Sequence, residues 1–257
     1  MTAFKENVMK QTGRSSFFET VRTVIYAVLI AIVIRSVLFE PFNIPSGSMR
    51  PTLEVGDYLF VSKFSYGYSR YSLPFGLDLF DGRIMESMPE RGDVVVFRKP
   101  SEPDVDYIKR IVGLPGDRIQ VTDGVLIING EPVPRERIED YIEPQPNGGM
   151  RRIEQWRETL PNGVSYVTFN TRDNGQADNT GAYEVPAGKY FAMGDNRDDS
   201  IDSRFPPEFG GVGFVPAENL IGRADLIFFS SDGSAGLFEP WNWFGAIRYE
   251  RLMQVIH

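Results

Sequence analysis

No cysteine occurs among the 257 residues, and the one histidine is the last of them, His257. Disulfide frameworks, thiolate metal sites and thiol nucleophiles are thereby excluded together, and one imidazole leaves little with which to hold zinc. A serine-histidine-acid relay is equally hard to build around the final residue of the chain. If a serine here is a nucleophile, lysine is the base that remains. Positive charge is also scarce. Lys and Arg total 27 against 35 Asp and Glu, a net charge of -8, which is the wrong sign for neutralising phosphates and excludes nucleic acid as the main partner. With 42% hydrophobic residues the chain can pack a core. Its Gly and Pro follow no period, no internal repeat is visible, and the composition predicts a loop-rich, mainly β protein.

Long apolar runs are missing except near the N-terminus. Residues 23–34 (TVIYAVLIAIVI) are apolar without interruption; Arg35 and Ser36 intervene, and Val37-Leu38-Phe39 resume. A buried helix would need a second apolar helix to cover it, because its apolar residues lie all round. A cleaved leader would need a small-x-small pair before Glu40-Pro41-Phe42, and none follows the apolar core. A retained signal anchor over residues 17–39, with Arg22 and Arg35 reaching opposite interfaces, meets neither objection. Lys5, Lys10, Arg14 and Arg22 outnumber Glu6 and Glu19 ahead of it. The positive-inside rule therefore predicts a cytoplasmic segment 1–16 and places residues 40–257 outside.

Beyond the anchor the pattern is that of strands. Residues 57–64 (DYLFVSKF), 93–97 (DVVVF) and 220–229 (LIGRADLIFF) are rich in β-branched and aromatic side chains and are bounded by Gly, Asp or Ser. Residues 117–133 read as a meander turned at Asp123-Gly124 and Asn129-Gly130. The Pro- and Gly-interrupted stretch 134–187 predicts an inserted β-rich subdomain. Residues 230–236 read as a link to an amphipathic tail, 237–256, with Trp241, Trp243, Phe244 and Tyr249. Aromatics at a lipid interface and a terminal helix docked on the core both fit that tail.

Three constellations carry chemistry. Ser46 and Ser48 lie in PSGSMRPTL, directly behind the apolar segment. In the strand VDYIKRIVG, alternation puts Val105, Tyr107, Lys109 and Ile111 on one face and Arg110 with Asp106 on the other. Lys109 is the sole charge on its face. Apolar surroundings would lower its pKa enough to make it a neutral base near neutral pH; escape of the amine from the strand edge into water fits the alternation equally. The third, GDNRDDSIDSR at 194–204, reads as a hydrogen-bonded turn. It lacks the Gly and terminal Glu of an EF-hand loop, so no metal is expected.

In order and separation, EPFNIPSGSMRPTL, RGDVVVF, DYIKRIVGLPGD and GDNRDDSIDSR followed by GFVP resemble bacterial type I signal peptidase. The resemblance covers most of the chain. It implies a coiled β-sheet catalytic domain behind one transmembrane helix, in the cytoplasmic (inner) membrane, with the catalytic region on the periplasmic side. It implies a serine endopeptidase that removes signal peptides from exported preproteins after Ala-x-Ala-like sites, close to the secretion translocase and in contact with the bilayer. It makes Ser48 the nucleophile, Lys109 the general base and Ser46 an oxyanion donor beside the Ser48 N–H. Ser200 would orient the lysine amine, and Asp202 with Arg204 would form a buried supporting pair. Pro51, with Met49 and Gly194, would shape the site. The wall of the substrate pockets would come from Phe42, Ile44, Pro45, Leu53, Tyr107 and Ile108, and Ile201 occupies a position that is often small in the family. No metal or organic cofactor is implied.

Overall fold

The computed structural model describes residues 2–72, 82–145, 148–172, 174–236, 239 and 241–257, with side chains from residue 17 onward. A helix, α1, runs over Thr2–Val33 and ends in a π-helical turn at Ile34–Leu38. No proline interrupts it, and among the described residues no partner helix covers its part from Phe17 onward. Its apolar part, Phe17–Leu38, has 22 residues with a mean hydropathy of 2.1 and none of them buried. At 1.5 Å per residue that is about 33 Å, the thickness of a bilayer's hydrocarbon core.

The rest of the described chain is mainly β. Eight strands form the principal sheet: β1 (Phe39–Asn43), β2 (Asp57–Ser62), β3 (Val94–Lys99), β4 (Glu102–Gly113), β5 (Lys189–Met193), β6 (Val215–Pro216), β7 (Leu220–Ser230) and β8 (Gln254–Val255). Their order is β1-β2-β7-β3-β4-β5-β6, with β8 paired to β7, and every pairing is antiparallel. The long strand β7 serves two neighbours along one side: residues 220–223 pair with β3 and residues 226–227 with β8. On its other side Gly222 lets β7 lie close to β2, because a Cβ there would come within 2.4 Å of the Ser62 carbonyl.

Both faces of the sheet are buried, which explains the unbroken apolar run DVVVF. Val94 and Val96 join Ile44, Met49, Leu53, Leu59 and Val61 in one core. Val95 and Phe97 face the other way, against Tyr66, Ile111, Tyr190 and Leu220. Each such side chain contributes about 1.5–3 kcal/mol on burial.

The meander forms as expected. Arg118–Thr122 and Val125–Ile128 pair across Asp123-Gly124, and Ile128 meets Glu131 across Asn129-Gly130. All four turn residues have positive φ, from 48° to 87°, as a type I′ hairpin requires. A separate accessory sheet is built around Met150–Thr159, with Arg135–Arg137, Tyr141–Pro144 and Ser165–Asn170 beside it.

The tail is not one amphipathic helix. Among the described residues it contains one short α-helix, Trp243–Ala246, and one turn of 3-10 helix, Tyr249–Arg251, and then adds β8 to the principal sheet. Arg251 fixes it, pairing with Asp57 at 2.5 Å and donating to the Thr52 carbonyl at 3.0 Å. The free edge of β7 beyond residue 223 supplies backbone hydrogen-bond partners that a helix could not use. Leu237, Phe238 and Pro240 lie outside the described residues.

Candidate active site

Ser48 occupies a turn immediately after Pro45. Arg50 N–H donates to the Gly47 carbonyl at 3.1 Å and Leu53 N–H to the Met49 carbonyl at 2.9 Å. Met49 and Leu53 are wholly buried and pull the turn onto the core. The loop after β5 grips it from above: Asn196 N–H donates to the Ser48 carbonyl at 3.1 Å, and Asn196 Nδ2 to the Gly47 carbonyl at 3.0 Å. The Ser48 N–H has no hydrogen-bond partner among the described residues.

Lys109 does not escape into water. It is 3% exposed, and its Nζ lies 2.7 Å from Ser48 Oγ, 2.8 Å from the Ile108 carbonyl and 5.3 Å from the centre of the Tyr107 ring. Burial lowers its pKa from the usual 10.5 to about 8; Asp202 and Asp195 pull it back up, and Arg204 adds to the fall. A useful fraction of the amine is therefore neutral near neutral pH. Ser46 Oγ stands 3.5 Å from Ser48 Oγ on the exposed side of the turn.

Asp202 and Arg204 form a buried bidentate pair at 2.9 and 2.8 Å, and Asp202 also accepts from the Gly194 N–H at 3.0 Å. Burial alone would raise the Asp202 pKa; Arg204 and the backbone donors outweigh it and hold the carboxyl below its ordinary value. Gly194 has no room for a side chain, since a Cβ would lie 2.2 Å from Ser200 Oγ and 2.5 Å from the Ser48 carbonyl.

Several expectations change. Ser200 Oγ is buried but bonds to nothing among the described residues, so it does not hold the lysine amine, whose hydrogen bonds go to Ser48 and Ile108. Ile44, Met49 and Leu53 form the floor beneath the turn and present almost no surface. Pro45 is exposed, Phe42, Tyr107 and Ile108 are half-buried, and Ile201 is 55% exposed. Asp106 does not balance Arg110. It pairs instead with Arg98, directly across on β3, at 3.2 Å.

Arg110 turns toward Asp195 in a bidentate pair at 2.9 and 2.7 Å, and Asp195 also accepts from Thr52 Oγ1 at 2.5 Å. Asp195 thus ties the lysine strand to the serine loop. Reading the loop as a hydrogen-bonded turn does not reveal this. The buried cation Arg110, one residue from Lys109, was the available signal, since a buried charge needs a partner.

A serine hydroxyl held against a buried lysine, in a β domain behind a membrane-length helix, has the makings of a serine hydrolase that uses no histidine. Comparison with known proteins narrows the class. The family described as signal peptidase, peptidase S26, matches residues 17–229. Signal peptidase I of Rickettsia typhi (strain ATCC VR-144 / Wilmington) is 41% identical over 251 residues, covering 90% of this chain and 91% of the relative. Signal peptidase I of Rickettsia massiliae (strain Mtu5) is 45% identical over 215 residues, covering 80% and 77%. A solved signal peptidase I from Enterococcus faecalis V583 matches with 27% identity and a TM-score of 0.30, over 53% of this chain and 97% of its own. The chain belongs to the signal peptidase, peptidase S26, family. It is a serine endopeptidase of the signal peptidase I type.

Proposed function

We propose that this chain removes N-terminal signal peptides from exported preproteins by cleaving after small-x-small boundaries, with Ser48 as nucleophile and Lys109 as general base. The 2.7 Å contact between a buried lysine amine and a serine hydroxyl carries this reading. Neutral Lys109 takes the Ser48 proton as Oγ attacks the scissile carbonyl, and the resulting ammonium gives that proton to the leaving amine. A lysine-activated water then hydrolyses the acyl-enzyme and frees the serine. The Ser46 hydroxyl and the Ser48 N–H stabilise the tetrahedral oxyanion. No metal or organic cofactor takes part.

The substrate lies extended along β4. Strand β5 pairs only with residues 110–113 of β4, so residues 102–109 keep a free edge toward the serine loop among the described residues. That edge supplies main-chain hydrogen bonds, and pockets bordered by Phe42, Pro45, Tyr107, Ile108 and Ile201 read alternate side chains. Residues 1–16 lie in the cytoplasm, 17–39 cross the inner membrane, and 40–257 work on the periplasmic side near the translocase. Residues 134–187 form an inserted subdomain. Exposed rings of Phe60 and Phe64 beside Phe39, the last residue of the span, and of Tyr58 support contact with lipid.

The test uses detergent-solubilised wild type and Ser48→Ala with a preprotein carrying an Ala-x-Ala boundary, products being read by mass spectrometry. Cleavage at the boundary by wild type alone is expected. Cleavage by both proteins would remove the nucleophile assignment, and cleavage by neither folded protein would remove the proposed reaction.

A further inference from the structure

Arg50, two residues beyond the serine, connects the nucleophile turn to the accessory sheet. Its stem packs on Gly47, where a Cβ would stand 3.1 Å from Arg50 Cδ. Its Nη1 donates to Glu143 Oε1 at 2.5 Å. Its Nε lies 2.9 Å from Glu54 Oε2, within ion-pair reach but out of line for a hydrogen bond. The guanidinium stands 5.4 Å from the Tyr141 ring centre and 5.6 Å from that of Phe169, and the two rings are 5.2 Å apart. Glu143, Tyr141 and Phe169 all belong to the accessory sheet.

A second link runs in parallel. Phe169 N–H donates to the Asp195 carbonyl at 2.9 Å, and Phe169 bridges to Asn196, which holds the Gly47 and Ser48 carbonyls. The turn is therefore held from the accessory sheet through one side chain and one backbone contact. Only a planar, forked cation can bind a carboxylate at its edge while stacking on two rings.

We infer that Arg50 is a positioning residue for the reaction, holding Ser48 in reach of Lys109 by fastening the nucleophile turn to Glu143, Tyr141 and Phe169, so that the accessory sheet is part of the catalytic apparatus. The inference rests on Ser48 acting as the nucleophile.

The test compares full-length, detergent-solubilised wild type, Arg50→Met, Arg50→Lys, Glu143→Gln and the Arg50→Met/Glu143→Gln double variant. For Arg50→Met, kcat should fall roughly ten- to hundredfold while KM stays within about twofold, because the turn is displaced rather than the substrate contacts. Arg50→Lys, which keeps the charge without the fork, should recover part of the loss. The double variant should be no slower than Arg50→Met, because both changes cut one link. Unchanged kcat with a lower Tm, an effect confined to KM, or additive losses would overturn the inference. Should Arg50→Met not fold, Glu143→Gln reads the same contact from the accessory sheet, and an unchanged kcat there is equally decisive against it. Residual activity in Ser48→Ala removes the underlying nucleophile reading; an inactive Ser48→Ala beside a fully active Arg50→Met removes this inference alone.

Discussion

Lys109 Nζ stands 2.7 Å from Ser48 Oγ, across a separation of 61 residues. The amine is buried, and among the described residues no carboxylate stands at hydrogen-bond distance from it: its other partner is the Ile108 carbonyl. Its properties follow from that environment.

Activity should rise with pH through about 8, the lowered value of the lysine, when kcat/KM is followed from pH 6 to 10. Lys109→Arg should lose activity by at least the roughly 10²–10⁴-fold that a general base contributes, since guanidinium stays protonated. A flat profile, or an active arginine variant, would remove the base assignment.

The same burial makes Lys109 a cost to folding. A folded-state pKa of about 8 against 10.5 means that the unfolded chain binds the extra proton between those values. Stability from this group therefore increases as pH rises from 8 to 10.5, and below 8 the charged amine destabilises by about 3 kcal/mol. Lys109→Met should raise Tm at pH 7, with a gain that shrinks toward pH 10. Thermal melts at the two pH values check it.

Asp202→Asn should leave Arg204 buried without its partner, at a cost of about 3–5 kcal/mol in denaturant unfolding. It should also move the rising limb of the activity profile to lower pH, because Asp202 raises the Lys109 pKa and Arg204, which lowers it, remains. In the wild type the Asp202 contribution is present above its ordinary pKa of 3.8 and lost as pH falls through the lowered folded value. A limb that stays in place or moves upward contradicts the electrostatic coupling.

Gly194→Ala should be inactive and less stable by about 1–3 kcal/mol or more, as expected of overpacking. The added methyl would meet both Ser200 and the Ser48 carbonyl, so backbone as well as side chain must shift. Normal turnover in that variant would mean that this contact is not part of the working site.

Ser46→Ala should lower kcat by about 10²–10³-fold with little change in KM if its hydroxyl meets charge only in the transition state. Steady-state kinetics separate the two constants, and a change confined to KM contradicts the role.

The apolar helix and the meander are legible because their causes are local. An unbroken apolar run needs no partner to declare itself, and Asp-Gly and Asn-Gly take positive φ wherever a hairpin closes. The tail was not legible. Its aromatic spacing suggested a helix or a lipid contact, but β3 stops short along β7 and leaves an edge that residues 254–255 complete. Alternation along β4 paired Asp106 with Arg110 by face, whereas cross-strand register gives Asp106 to Arg98 and leaves Arg110 for Asp195.

The absence of cysteine and the position of the single histidine leave lysine as the candidate base, and one apolar stretch predicts an anchor. Composition and short-range pattern reach that far because they remove chemical options outright. Whether Lys109 reached water or Ser48 was decided only by the tertiary structure. The serine turn is pinned by Met49 and Leu53 below and by Asn196 above, and Asp195 joins it through Thr52 to Arg110, the neighbour of Lys109. No local periodicity encodes those contacts. They depend on which distant groups can neutralise a buried charge and fill a core together.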